Sequence, residues 1–190
     1  IMGVADSPGT RTITGNSITD LTGDTTTPYD IGINLWCKHG SSPVAIIENN
    51  SVTASVADNG GIYLVRPGVG SRVSGNTLTL TGEGGIGIET GWSYDGGVEL
   101  SGNTIVMGRG GAGIVVTGSG TSGVPMAISG NTLSNVGVDD AFDNDYFGYS
   151  LREVGVLLSS HEYTSRTGDA HYELHATFSG NNIDGFKEGV

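Results

Sequence analysis

The stretch Leu100-Ser-Gly-Asn-Thr-Ile105 decides the fold of this chain, because closely similar stretches recur along most of its length. Each copy has an apolar residue, then a Gly-Asn or Asn-Asn pair, then a second apolar residue. Self-similarity at a spacing of about 20–50 residues is the signature of a solenoid, in which each turn of the chain stacks on its neighbours. The recurring asparagine is found at Asn16, Asn50, Asn76, Asn103, Asn131 and Asn181.

The Gly-Asn pair predicts a sharp corner between two short strands. Glycine and asparagine are the residues that tolerate left-handed backbone angles, so the chain can bend there at little steric cost. Stacked corners would place the asparagines above one another at the strand spacing of about 4.8 Å. Their amides could then form a ladder of hydrogen bonds. We therefore assign these asparagines a structural role.

A second repeated phrase consists of a glycine followed by alternating aliphatic residues, which is a strand signal. Counting one glycine per turn gives about six turns, with the glycines at Gly3, Gly32, Gly61, Gly85, Gly113, Gly155 and Gly189. The alternation predicts two buried columns. They are Ile33, Ile62, Ile86, Ile114 and Val156, and beside them Leu35, Leu64, Ile88, Val116 and Leu158.

On these two phrases, the chain resembles the right-handed parallel β-helix repeat proteins of the pectate-lyase-like superfold. The resemblance implies an all-β, single-stranded, right-handed parallel β-helix of about six turns. It does not imply one activity, since such proteins include polysaccharide lyases, epimerases, glycoside hydrolases, phage tailspikes, surface stalks and adhesins. The phrases begin and end in mid-turn without polar caps. We therefore expect residues 1–190 to form a single domain excerpted from a longer chain.

Composition limits the partners and the setting. The formal net charge of −12 would repel nucleic-acid phosphates and disfavours an anionic membrane surface. No apolar run is long enough for a transmembrane helix, so we expect no membrane insertion. Acidity of this kind suits an extracellular or cell-surface protein. The one cysteine, Cys37, can form no intrachain disulfide, and we interpret it as a packing residue.

Two insertions interrupt the regular turns, at residues 136–152 and 160–170, and insertions in repeat proteins map to loops that often bind ligands. The first insertion carries clustered carboxylates, which are hard oxygen ligands for Ca²⁺, at Asp139, Asp140, Asp143 and Asp145. It also carries aromatic rings that could stack on a sugar, at Tyr146, Phe147 and Tyr149. A solvated loop with its aromatics folded back is the alternative. We expect no cofactor, with calcium at this insertion as the alternative.

A second metal candidate follows these insertions. In a strand, His171, Glu173 and His175 would share one face, because side chains alternate. Two imidazoles and a carboxylate at that spacing have metal-ligand chemistry. The polar outer face of a β-helix strand produces the same pattern without any metal.

The outward side chains of the Gly-Ile strands form a third candidate site. Aligning the phrases predicts two outward columns, the first being Asn34, Tyr63, Gly87, Val115 and Leu157, and the second Trp36, Val65, Glu89, Thr117 and Ser159. A lyase needs a base and a cation that holds the substrate carboxylate, and Lys38, Arg66 and Glu89 on successive turns could supply them. The apolar outward residues fit a covering loop, an oligomer contact or a stalk better than a wet groove.

Two functions remain open at this point. The first is a non-enzymatic repeat module of a secreted or surface protein, such as a stalk, adhesin or tailspike-like shaft, which contacts glycans or like chains. The second is a polysaccharide lyase, epimerase or hydrolase acting on an acidic polysaccharide. The regular repeats and the apolar outward residues favour the first, while the second rests on fold analogy and on the row of charged residues.

Overall fold

The computed structural model of the protein consists of short strands joined by tight turns. It describes residues 1–19, 21, 30–38, 40, 41, 43–92, 96–118, 123–137, 144–146, 149–151, 153–159 and 174–190. All the regular elements in these ranges are strands. None of these stretches holds a helix with the length and hydropathy that crossing a membrane requires.

Each strand is two to eight residues long, and many of them alternate exposed and buried side chains, as Thr77–Leu80 does. In chain order the strands are β1 (Met2–Ala5), β2 (Thr10–Thr14), β3 (Ser17–Ile18), β4 (Asp30–Cys37), β5 (Val44–Glu48), β6 (Ser51–Ala54), β7 (Asn59–Val65), β8 (Arg72–Ser74), β9 (Thr77–Leu80), β10 (Ile86–Gly91), β11 (Glu99–Ser101), β12 (Thr104–Met107), β13 (Ala112–Thr117), β14 (Met126–Ser129), β15 (Thr132–Asn135), β16 (Asn144–Tyr146), β17 (Tyr149–Leu151), β18 (Val156–Ser159), β19 (Ala176–Ser179) and β20 (Asn182–Asp184).

Three parallel sheets of six strands each form the body of the protein. Sheet A has the order β1-β4-β7-β10-β13-β18, sheet B has β2-β5-β8-β11-β14-β19, and sheet C has β3-β6-β9-β12-β15-β20. Neighbours in a sheet thus come from successive turns of the chain, which confirms the predicted parallel β-helix. The two remaining strands, β16 and β17, form a separate antiparallel pair.

The predicted asparagine ladder is present at the corner between sheets B and C. In every ladder asparagine after Asn16, the side-chain Oδ1 accepts hydrogen bonds from the backbone N–H and the Nδ2 of the asparagine one turn earlier. All of these bonds measure 2.8–3.0 Å. The four inner members are buried, so their amides are satisfied by the ladder instead of by water. The predicted structural role is confirmed.

The residue before each ladder asparagine adopts the left-handed conformation that the corner requires. Five copies use glycine there, with φ between 62° and 69°, and the second copy uses Asn49 with φ of 55°. Asparagine is the residue that replaces glycine most easily at such angles. The exception in the repeat phrase, Asn-Asn in place of Gly-Asn, therefore keeps the same backbone.

The core lies between the three sheets and contains most of the residues that the alternation predicts. Ile33, Ile62, Ile114 and Val156 lie at matching positions on their strands, with a residue of β10 between Ile62 and Ile114. All four are fully or almost fully buried. Leu158, at the end of its column, is partly buried against the core. The ladder rungs and the aliphatic columns together explain how a chain with 34 glycines forms a continuous core.

The predicted alignment of β10 was wrong by two residues. Ile88, not Ile86, pairs with Ile62 and Ile114, and Thr90 occupies the position predicted for Ile88. Ile86 instead packs in a small second cluster with Ala112 and Val115. The phrase Gly85-Ile-Gly-Ile offers two Gly-Ile dipeptides, and spacing alone cannot choose between them.

Packing around Gly87 determines which of the two Gly-Ile dipeptides lies in the glycine column. A Cβ atom at Gly87 would collide with the carbonyl oxygen of Gly113 and the side chain of Ile105, so this position admits only glycine.

The predicted match of Gly3 to the same column was also wrong, because Gly3 pairs with Leu35. Gly189 does follow this column, since its carbonyl accepts a hydrogen bond from Val156.

Candidate functional site

The outer face of sheet A brings together side chains that the predicted alignment had separated. The register places Glu89 directly between Tyr63 and Val115, in the column where Gly87 was predicted. The first outward column is therefore Asn34, Tyr63, Glu89, Val115 and Leu157, and the second is Trp36, Val65, Gly91, Thr117 and Ser159. The shift of two residues keeps Glu89 on the outer face but moves it beside Tyr63.

Two aromatic rings lie side by side on this face. The rings of Trp36 and Tyr63 meet edge to face, with centroids 6.1 Å apart and an interplanar angle of 64°. Trp36 is 40% exposed, whereas Tyr63 is half-buried. An exposed tryptophan supported by a second ring is a rigid, amphipathic surface of the kind that binding sites use.

Glu89 provides a nearly buried carboxyl group in the same column. It is only 6% exposed and lies opposite Tyr63 on the next turn. Burial raises the pKa of the Tyr63 hydroxyl, the negative charge of Glu89 raises it further, and Arg66 acts weakly in the opposite direction. The Tyr63 hydroxyl therefore stays protonated at neutral pH and is available as a hydrogen-bond donor.

Several buried polar atoms on this face make no hydrogen bond. Within the described ranges, the Asn34 Oδ1, the Arg66 Nε and the Thr117 Oγ1 have no partner. Buried polar groups in folded proteins are nearly always satisfied, so each exception needs an explanation. Asn34 and Arg66 lie near the aromatic pair, whereas Thr117 lies three strands away from Trp36, so the three atoms do not form one site.

The backbone at the end of sheet A holds two large side chains in an unfavourable conformation. Val65, Gly91 and Thr117 are in register, and the residues that follow them are Arg66, Trp92 and Gly118. All three have positive φ, at 53°, 56° and 50°. Only glycine adopts this conformation without cost, and the others lose about 1–2 kcal/mol. We name the first two, Arg66 and Trp92, the strained corner.

Two of the three charged residues predicted from the sequence lie near Tyr63. Arg66 and Glu89 both act on Tyr63, as its pKa shows. Lys38 is exposed and lies two residues beyond Trp36, roughly 7 Å further along the strand direction. Because Trp36 pairs with Val65, Lys38 and Arg66 lie just beyond the ends of neighbouring strands.

No family model matches this chain, and no curated protein or solved structure is significantly similar to it. The function must therefore be argued from the side chains on the outer face of sheet A.

The predicted loop and metal sites lie largely outside the described residues. Asp139, Asp140, Asp143, Phe147, His171 and Glu173 are all in this position. The backbone of Asp145 pairs with Ser150, and that of Tyr146 pairs with Tyr149, in the antiparallel hairpin of β16 and β17. The carbonyl oxygen of His175 accepts a hydrogen bond from the backbone N–H of Met126. Within the described ranges, no three His, Cys, Asp or Glu residues group as a metal site would require.

Sequence reasoning missed Trp92 and did not recognise Trp36 and Tyr63 as a pair. The pair depends on two strands being in register, which a single strand does not reveal. Trp92 did carry a signal, because it follows a strand at the point where the next turn has Gly118. A bulky residue at a position where another turn has glycine is a candidate for a functional role, because the fold itself does not require it.

Proposed function

We propose that the outer face of sheet A binds carbohydrate, and that the chain is a non-enzymatic repeat module of a secreted or cell-surface protein. The edge-to-face pair of Trp36 and Tyr63 carries this proposal, because Trp36 is 40% exposed while the other residues of the two columns are buried or half-buried. A sugar ring could stack on the exposed part of the Trp36 ring. The resemblance to pectate-lyase-like β-helix proteins, and its right-handed winding, are part of the proposal.

The chemistry of this face supports binding more than catalysis. Glycoside hydrolysis normally uses two carboxyl groups flanking the bond, and the two outward columns contain only Glu89. A lyase needs a base to remove a proton, and the raised pKa of Tyr63 makes its phenol a poor base at neutral pH.

The proposal is tested by measuring glycan binding to the parent protein and to a Trp36→Ala variant, by array screening followed by calorimetry. Phe178→Ala is a matched control, since Phe178 is also 40% exposed but lies in sheet B. We expect Trp36→Ala to weaken binding at least tenfold and Phe178→Ala to leave it unchanged. Absence of glycan binding by the parent, or equal losses in both variants, would contradict the proposal.

The same samples separate binding from catalysis. Polysaccharides are incubated with the parent protein, and the solution is assayed for new reducing ends and for absorbance by unsaturated sugars. The proposal expects neither signal above that of the Glu89→Gln variant. A signal that requires Glu89 would establish a hydrolase or a lyase in place of a binding module.

A further inference from the structure

One copy of the repeated phrase has an asparagine at the corner between sheets B and C where the other five copies have glycine. This second copy reads Ile47-Glu-Asn-Asn-Ser-Val52, and its Asn49 has a φ of 55°. Glycine adopts that conformation freely and would fit the corner equally well. The fold therefore does not require the Asn49 side chain, and its presence is the feature to be explained.

The asparagine at this corner creates the acceptor triplet for N-linked glycosylation. That triplet is an asparagine, then any residue except proline, then serine or threonine. Asn49-Asn50-Ser51 has this pattern, and no other asparagine of the 190 residues is followed two positions later by serine or threonine. In the other five copies an apolar residue stands two positions after the ladder asparagine, so the triplet arises only from the exception at Asn49.

The structure gives the two asparagines of the triplet different roles. Asn50 is 2% exposed, and its Nδ2 donates hydrogen bonds to the carbonyl oxygen of Ile13 and to the Oδ1 of Asn76, at 2.9 and 3.0 Å. Asn49 is exposed, and its side-chain amide makes no hydrogen bond to the part of the chain that the structure describes. A group attached to the Asn49 Nδ2 would therefore break no bond of the ladder.

The corner also leaves room for a large group at Asn49. The residues at the same position one turn earlier and one turn later are Gly15 and Gly75, which are exposed and have no side chain. A Cβ atom added at Gly15 would meet no atom within 4 Å, whereas one added at Gly75 would lie 2.7 Å from the Asn49 Oδ1. The glycine at position 75 thus gives the Asn49 side chain its space.

From these observations we infer that Asn49 is an N-glycosylation site. The donor is an oligosaccharide carried on a lipid diphosphate. The bond between C1 of its first sugar and the diphosphate oxygen breaks, and C1 forms a bond to the Asn49 Nδ2. The Nδ2 loses one proton to a base of the transferase, and the lipid diphosphate leaves with the electron pair of the broken bond. The finished corner then accommodates the glycan on its exposed side.

The position of this glycan is compatible with the proposed function but does not depend on it. The corner between sheets B and C lies opposite sheet A in a three-sided coil, so a glycan at Asn49 would leave Trp36 uncovered. It would shield the edges of the two polar faces beside it, where a bulky, hydrated group improves solubility. The inference shares with the proposed function only the secretion of the chain.

The test is to secrete the full chain from cultured eukaryotic cells behind a secretion signal, and to treat it with an amidase that removes N-linked glycans. The parent should lose mass in one step on treatment, and peptide mass spectrometry should locate the glycan at Asn49. Asn49→Gly and Ser51→Ala should both lack the glycan. Circular dichroism should show that Asn49→Gly is folded, because its corner then matches the other five.

Gly102→Asn is the matched variant that adds a site. It would give the fourth copy the same triplet, ending at Thr104, and a Cβ atom at Gly102 meets no atom within 4 Å. The φ of Gly102 is 62°, close to that of Asn49. This variant should therefore carry two glycans per chain, which shows that the corner itself admits the modification.

The outcomes separate this inference from the proposed function. An unmodified parent, a glycan located on a peptide without Asn49, or a loss of mass that persists in Asn49→Gly would overturn the inference. Binding through Trp36 is measured independently, on unglycosylated protein made in bacterial cells. Absence of binding on the glycan array would contradict the proposed function and leave the assignment of Asn49 intact.

Discussion

Replacing Asn103 by alanine should remove one complete rung of the asparagine ladder. Its Oδ1 accepts hydrogen bonds from the backbone N–H and the Nδ2 of Asn76, at 3.0 and 2.9 Å. Its Nδ2 donates to the carbonyl oxygen of Val73 and to the Oδ1 of Asn131, both at 2.9 Å. Asn103 is 1% exposed, so water has no ready access to the groups that lose their partners.

The expected loss of stability follows from the donors that are left unsatisfied. The substitution leaves two buried N–H groups of Asn76 without acceptors, and each costs about 1–3 kcal/mol. The Asn131 Oδ1 is less affected, because it still accepts a hydrogen bond from the backbone N–H of residue 103, 3.0 Å away in the parent protein. We therefore expect the free energy of unfolding to fall by about 4 kcal/mol.

Asn16→Ala is the matched control at the first rung. Asn16 is half-buried, and no ladder residue donates to its Oδ1 among the described residues. Its backbone N–H would continue to donate to Asn50 after the substitution. The same chemical change should therefore cost about 1 kcal/mol or less. Urea unfolding followed by circular dichroism measures both values, provided that the m-values remain unchanged.

Equal losses of stability in the two alanine variants would refute this reasoning, because both residues belong to the same sequence phrase. Asn103→Asp provides a second check. The introduced carboxylate would still accept the hydrogen bonds from Asn76, but its second oxygen would face the carbonyl oxygen of Val73 and be repelled by it. The pKa of the carboxyl group should therefore rise above its unfolded value of about 3.9. The variant should regain stability as pH falls towards that value and lose it as pH rises through the folded pKa.

Three further predictions concern the core and the outer face. Gly87→Ala should cost about 3 kcal/mol in urea unfolding, because its Cβ would collide with a backbone carbonyl, whereas Gly123→Ala should be close to neutral because it meets no atom within 4 Å. The pKa of Tyr63 is higher in the folded protein than its value of about 10 in the unfolded chain. The protonated Tyr63 therefore stabilises the fold below about pH 10, and this contribution is lost as the pH rises above that value. Tyr63→Phe should move alkaline unfolding to higher pH. Burial raises the pKa of Cys37 to about 11, so its thiol should react with a thiol reagent at neutral pH only after unfolding.

The architecture could be predicted from the sequence because one physical requirement recurs in every copy of the phrase. A left-handed corner followed by a buried amide allows few residues, and Gly-Asn or Asn-Asn meets both needs at every copy from Asn16 to Asn181. The register of β10 could not be predicted in the same way. Both Gly85 and Gly87 fit the phrase, and only contact with the next turn distinguishes them.

The candidate site was harder to predict because it depends on neighbours in different turns. Arg66 and Glu89 were recognisable as charged residues near strand ends, but the two-residue shift in register hid the contact of Glu89 with Tyr63. The strain at Arg66 is a backbone property, and no spacing of residue types shows it directly. The predicted calcium and histidine sites lie largely outside the described residues and stay predictions.

The ladder also shows where this scaffold tolerates changes in chain length. Successive rungs are separated by 34, 26, 27, 28 and 50 residues, yet the amide bonds between them have almost the same length. The extra residues are all accommodated elsewhere in the turn, away from the corner between sheets B and C. Foreign peptides could therefore be displayed between β15 and β18 with little effect on assembly of the solenoid. Even a single residue inserted between β8 and β9 would move a rung out of line and divide the ladder into two shorter units.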